Sequence, residues 1–336
     1  VQFIFWREGQ SSSGQKSGAY RIASNEWVSE NSYIPPEPLP NSVAGRQSSF
    51  AAIQLLGKGK TQLAFFKDQG RPSIYSYSGG RWRLDAQLTP PETIAQFDKA
   101  DLGVRFPDLN GDGFADIAYT KKTADGKLIK VAYLFRPGEQ DPWKPDVRYK
   151  IPRPTFSEDL KDTGVFLVDI NGDGLTDLLY AYQPADLSKP PVLEAYVNCS
   201  LMRECKNSVP VDKEGGYWKS VTDPIFKGRY AGYIPPVPFA KEGVGSLGVR
   251  AVDINGDGLT DLVVSREEDD AQGIPHLVQK VLLNSIETNA AGQRVGRWVE
   301  AKGTDVLPPV PFVRPYRKDL GESGNPLSSV RTIVLS

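Results

Sequence analysis

Histidine, cysteine and methionine are nearly missing from this chain of 336 residues, which holds one, two and one of them. A lone histidine with no nucleophile motif assembles no triad, and paired carboxylates in a central pocket stay open. His276 follows Pro275 in a loop-to-strand region with no serine or cysteine motif around it, and reads as a surface or packing residue. The two cysteines, Cys199 and Cys205 of "NCSLMREC", lie six apart, the spacing of a short local loop. They can bridge in an oxidising compartment or stay as free thiols, whereas a metal pair needs more Cys or His nearby. An excess of one charge is missing too: 40 Lys and Arg against 41 Asp and Glu leave a formal net charge of −1. No nucleic-acid or anionic-membrane surface is expected from that balance. No apolar run approaches the length of a membrane span, so no membrane insertion is expected. The chain opens on Val1 without a signal-peptide apolar region, which reads as a mature or excised piece of something longer.

Glycine (32) and proline (27) are plentiful, favouring many short strands and turns over helices. The length suits two ordinary domains or one large repeat array. A repeat is visible. "PDLNGDGFADIA" (107–118), "VDINGDGLTDLL" (168–179) and "VDINGDGLTDLV" (252–263) are three copies of one acidic loop. Each follows a short alternating segment with a glycine entry and runs into "DIAYT", "DLLYAY" or "DLVVS". A further strand comes next: "VAYLFRPG" (131–138), "VLEAYVN" (192–198) or "VQKVLLN" (278–284). Then come a tryptophan (Trp143, Trp218, Trp298) and a proline-rich exit, "IPRPTF" (151–156), "IPPVPF" (234–239) or "LPPVPF" (307–312). The same grammar without the acids appears earlier, in "FAAIQLLGKGKTQLAFF" (50–66), Trp82 and "LTPPETI" (88–94). Before that, "VQFIFWREG" (1–9), Trp27 and "IPPEPL" (34–39) match the last two strands and the exit.

Four short strands per unit, repeated along a chain, predict an all-β fold, a β-propeller of four-stranded antiparallel blades. The partition is one propeller domain or fragment over 1–336. It holds the end of a preceding blade (1–40), a blade with a degenerate loop (41–94), two acidic-loop blades (95–156 and 157–239), a third (240–312), and a first strand of a closing or next blade (313–336). That gives four complete blades with partial strands at both ends, about five in all. A β-sandwich is the alternative. The 157–239 unit is the longest, with loop anchors Asp169 and Asp253 84 residues apart against 61 from Asp108 to Asp169. Its insertion, near 201–214, is expected to contribute to a partner surface.

The acidic loop, D-x-N-G-D-G-x-x-D, sets oxygen side chains at positions 1, 3, 5 and 9, with the carbonyl of position 7 as a further donor. These are Asp108, Asn110, Asp112, Phe114 and Asp116; Asp169, Asn171, Asp173, Leu175 and Asp177; and Asp253, Asn255, Asp257, Leu259 and Asp261. Alternating oxygen donors on a tightly curled loop build a hard-cation site, in the manner of calcium. Glycines at positions 4 and 6 allow backbone conformations that a side chain penalises. An EF-hand is excluded, because position 12 is Tyr119, Tyr180 or Val264 rather than Glu and the flanks are strand-like. "GKGKT" (57–61) is no phosphate loop: the glycine that pattern needs is Gln54. In repeat register, Gly57 and Gly59 stand opposite Gly172 and Gly174, and the four ligand positions become Gln54, Leu56, Lys58 and Gln62. That loop should bind no ion.

"DLNGDGFAD" (108–116) and "DINGDGLTD" (169–177 and 253–261), each between two strands, resemble the FG-GAP/VCBS repeats of integrin α-chain propellers and secreted bacterial proteins. The resemblance implies a propeller whose loops, between the first two strands of each blade, bind Ca2+ at three sites. The "GVR…D" entry and "LLN…W" continuation also look like the propellers of toxin-complex B-type, SpvB-like and RHS-associated proteins. The expectation is therefore an extracellular or secreted calcium-binding scaffold with protein partners, or with other domains of a longer chain, and not an enzyme. The alternatives are a lectin-like glycan binder, with the repeated tryptophans as platforms rather than packing anchors, and a propeller hydrolase or lyase with converging acids.

Overall fold

The structure is a computed structural model that describes residues 20–23, 26–29, 49–53, 55–57, 60–66, 71–91, 104–122, 127–155, 162–270, 272–302, 308 and 311–312. These residues are mostly β, in several antiparallel sheets with one short helix, and among them no closed propeller is present. A hairpin of β1 (Tyr20–Ala23) and β2 (Glu26–Ser29) comes first. In the backbone register Trp27 of β2 pairs with Ile22 of β1, so its strand partner is 20–23. The segment 1–9, expected to be that partner, lies outside the described residues, as does 313–336.

Four further sheets follow the sequence repeat. The first is β3 (Ser49–Ile53), β4 (Gln62–Phe66), β5 (Ser73–Ser78) and β6 (Arg81–Leu84), each strand paired with the next. The second has three strands, β7 (Ile117–Lys122), β8 (Leu128–Phe135) and β9 (Trp143–Pro145); an isolated bridge from Arg105 to Ala118 stands where its first strand was expected. The third has six rather than four: β10 (Val165–Val168), β11 (Asp177–Gln183), β12 (Val192–Asn198), β13 (Trp218–Ser220), β14 (Ala240–Lys241) and β15 (Gly245–Ser246). The extra pair arises because the proline-rich exit stays with its own sheet. The Phe239 amide donates to the Ala181 carbonyl, and β14 then runs parallel to β11. The fourth is β16 (Val249–Val252), β17 (Asp261–Asp269), β18 (Pro275–Thr288) and β19 (Arg294–Glu300). His276 is exposed on β18 opposite Glu268, as a surface residue should be.

Strand alternation explains how the second sheet is buried on both faces. Ile117, Tyr119, Val131 and Phe135 join an apolar cluster with Ile53, Leu55, Ile74 and Leu88 of the first repeat. Their neighbours Ala118, Ala132 and Leu134 join a second cluster shared with the third and fourth repeats. Two tryptophans bond to their neighbours, whereas Trp143 is buried with its Nε1 unpaired. The indole N–H of Trp218 donates to the Tyr149 carbonyl and that of Trp298 to the Tyr233 carbonyl, each in the preceding repeat at 3.0 Å. Tyr233 also lies over Gly296 of β19, where an added Cβ would stand 1.9 Å from a ring atom, so only glycine fits.

The long insertion is a piece of packing rather than a loose loop. A disulfide joins Cys199 to Cys205 across the start of α1 (Arg203–Ser208), and both cysteines are buried. Val209 and Tyr217 are buried with them in the larger cluster. The amides of Gly215 and Tyr217 donate to the carbonyls of Val147 and Arg148 in the preceding repeat. Deleting residues 201–214 should therefore lower stability by more than about 2 kcal/mol in urea unfolding, since it removes a buried apolar contact and a disulfide together. Unchanged unfolding would show that the insertion is merely decorative.

Candidate metal centre

All three acidic loops share one conformation. In the first, the Asp108 carboxylate accepts from the Gly111 and Gly113 amides at 2.8 and 2.9 Å. The Asn110 side-chain Oδ1 accepts from the Asp112 amide, its Nδ2 donates to one carboxylate oxygen of Asp112, and the Phe114 amide donates to the other. The second loop repeats these five bonds from Asp169, Asn171 and Asp173, and the third from Asp253, Asn255 and Asp257. Aspartate reaching the amides three and five residues ahead forces the chain to curl, and the glycines there sit at positive φ: 75° and 84° at Gly111 and Gly113. Gly57 of the degenerate loop keeps the same kind of conformation, φ 90°, without the acids. Lys58 and Gly59 lie outside the described residues.

Position 9 differs from the others. Asp116, Asp177 and Asp261 are fully buried where the second strand of each repeat begins, whereas positions 4 to 6 of each loop lie largely in water. One oxygen of each accepts from the amide of loop position 2: Leu109 at 2.8 Å, Ile170 at 3.2 Å, Ile254 at 3.0 Å. The other accepts at 2.8 Å from the third strand position of the same repeat, in β8, β12 or β18: Phe135, Asn198 and Asn284. Each carboxylate thus ties its loop to the sheet. Burial pushes the Asp116 carboxyl up to about 8, against the lowering effect of the two amides, and Asp112 and Asp108 add to the rise. Burial raises Asp177 well above the ordinary carboxylate value and raises Asp261, Asp108 and Asp173 too. A carboxyl raised in this way favours the folded state while protonated. Across the window from 3.8 to about 8, ionisation of Asp116 works against folding. In the degenerate loop the equivalent Gln62 is buried, and its Oε1 accepts a long 3.4 Å bond from Leu56. A neutral amide there keeps part of the tie without the charge.

Among the described residues no three His, Cys, Asp or Glu side chains gather into a metal-holding group, so the acids of each loop are neighbours in chain order rather than a formed cage. The donor chemistry still fits a hard cation. Each loop offers three carboxylates and one amide oxygen, with no cationic side chain among its nine residues. An ionised carboxylate oxygen that accepts one amide bond keeps a second lone pair. Asp108, Asp112, Asn110 and the Phe114 carbonyl, with their counterparts in the other two loops, would hold the ion; Asp116, Asp177 and Asp261 carry a structural duty as well.

Successive loops touch one another. Gly111 faces the Leu175 side chain of the next loop and Gly172 faces Leu259 of the one after; a Cβ added to either glycine would stand 3.1 Å from that leucine. The Thr176 amide donates to the Asp108 carbonyl, and Gly57 lies against the Gly113 carbonyl. Position 7 therefore acts through its side chain as a spacer between loops. Two residues escape a reading based on acids alone: Asn198 and Asn284, the last residues of "YVN" and "LLN", whose equivalent in the second repeat is Phe135.

Asp177→Asn should separate the two duties, because it sets an N–H₂ against an N–H where a carboxylate oxygen now accepts. The expected loss is about 1–3 kcal/mol in denaturant unfolding even with a chelator present. Asp173→Asn, exposed and on the loop, should cost little under the same condition. Equal stability of Asp177→Asn and the parent chain would contradict the structural duty.

No protein-family model matches the chain, and no curated protein matches it.

Proposed function

We propose that this chain is a calcium-binding β-propeller of the FG-GAP/VCBS kind, serving as an extracellular scaffold or protein-interaction module. The observation that carries the reading is the shared conformation of the three acidic loops, each between the first two strand positions of a repeat, with the first resting on the second and the second on the third. Sheets buried on both faces, with tryptophans reaching back to the preceding repeat, support a radial stack of blades. Desolvated carboxylates without a cationic partner in the loop support a bound cation: its charge offsets the cost of ionising them. The Cys199–Cys205 disulfide agrees weakly with an oxidising, extracellular setting. Its partner is a protein or another domain of the parent chain.

The tryptophans favour packing over glycan binding. Trp143 and Trp218 are buried, and among the described residues the exposed large apolar side chains are all aliphatic. The repeated aromatic platforms of a lectin have no counterpart there. An enzymatic reading draws no support from His276, and the recognisable acids serve the loops.

Calcium should stabilise without chemistry. An ion that binds only the folded state contributes about 2.7 kcal/mol per site when free ion is 100 times Kd. Chelation should lower the melting temperature and added calcium restore it, and native mass spectrometry should count three ions with none at the 54–62 loop. An unchanged melt after verified metal removal, or a fourth ion lost on mutating Gln62, would contradict the reading.

A further inference from the structure

One asparagine of the third strand performs two tasks at once in two of the repeats. The Asn198 amide donates to Asp177 of its own repeat, while its side-chain Nδ2 donates at 2.7 Å to the Leu109 carbonyl in the preceding acidic loop. The Asn284 amide donates to Asp261, and its Nδ2 donates at 2.7 Å to the Ile170 carbonyl, again in the preceding loop. Both asparagines are buried. The orientation is fixed chemically: a carbonyl can only accept, and the Asn198 Oδ1 is engaged by the Ser200 amide. The contacted residues, Leu109 and Ile170, are themselves the ones whose amides hold Asp116 and Asp177.

These bonds join end to end. From Asp261 the path runs through the Asn284 backbone and side chain, the Ile170 residue, Asp177, the Asn198 backbone and side chain, the Leu109 residue and Asp116. It stops at Phe135, which holds Asp116 by its amide but has no side-chain donor. Phe135 instead shares an apolar cluster with Leu55 of the degenerate loop. The polar link is therefore present at both junctions between two acidic loops, and an apolar one replaces it where the neighbouring loop has lost its acids.

We propose that Asn198 and Asn284 are positioning residues that couple the three loops, so that a cation held in one loop raises the affinity of the adjacent loop. This rests on the cation reading above. The physical reason is shared ordering: fixing one loop fixes its position-2 residue, which fixes the asparagine, which fixes the carboxylate of the next loop. The second ion then meets a site whose ordering cost is already reduced. By reciprocity the coupling acts in both directions.

A double-mutant cycle on the full chain tests it. The 253–261 loop is disabled with Asp253→Asn and Asp257→Asn, and calcium affinity at the remaining loops is read by titration calorimetry. Native mass spectrometry checks the number of ions. With Asn284 present, disabling that loop should weaken binding at the 169–177 loop by about fivefold or more. With Asn284→Leu, which leaves the Leu259–Gly172 contact and every proposed ligand in place, binding at the 169–177 loop should already be weaker. Disabling the third loop should then change it less than about twofold. Should Asn284→Leu fail to fold, Asn284→Ala, which removes the donor and adds no charge, should give the same result. An equal effect of the disabled loop in both backgrounds, or none in either, overturns the coupling while leaving the cation sites standing. No calcium bound by the parent chain overturns the cation reading itself, and the coupling with it.

Discussion

A carboxylate that must be buried at the start of a strand is the constraint on which the repeat depends. Asp116, Asp177 and Asp261 each sit out of water with one oxygen on the loop and the other on the third strand. Burying an acid is costly unless hydrogen bonds or a countercharge compensate. Two amide bonds compensate in part, and the burial still raises all three acids. The rest of the loop can be understood from this shortfall. Positions 1 and 5 add to it: Asp112 and Asp108 raise Asp116 further, and Asp173 and Asp169 raise Asp177.

The same carboxylate sets the spacing between repeats. Its loop-side partner is the position-2 amide, and in the first two acidic loops the carbonyl of that same residue accepts from the next repeat. There it meets Asn198 or Asn284, and the leucine at position 7 of the next loop closes over the position-4 glycine. Indole N–H bonds from Trp218 and Trp298 repeat the junction further out on the sheet. Stability in such an array is a sum of repeat and neighbour terms, so a junction made of few, fixed bonds has effects beyond its own repeat.

Much of this was legible in the sequence, for reasons tied to particular residues. Three copies of D-x-N-G-D-G-x-x-D fix the loops because aspartate and glycine at those offsets permit one local curl. The strands β12 and β13 follow from the alternation in "VLEAYVN" and the Trp218 segment. What was not legible is long-range. Nothing in "AK" and "GS" announces that β14 will attach to β11 and β15 to β14, since two-residue strands carry no period. The insertion near 201–214 reads as a polar surface loop until Cys205 and Val209 are seen buried against the preceding repeat. Position 9 reads as one more ligand, because chain spacing does not say which aspartate faces inward. The clue to Asn198 and Asn284 was present, in "YVN" and "LLN" against "YLF", but its meaning lies across 89 and 114 residues of chain.

Residue-resolved amide hydrogen exchange tests the central role of the buried carboxylates most directly. The amides of Leu109, Ile170 and Ile254 lie in short loops whose neighbours face water, yet each donates to a buried aspartate. They should exchange among the slowest in the chain, at rates set by global unfolding. Rates matching those of the loop glycines Gly113, Gly174 and Gly258 would contradict the account.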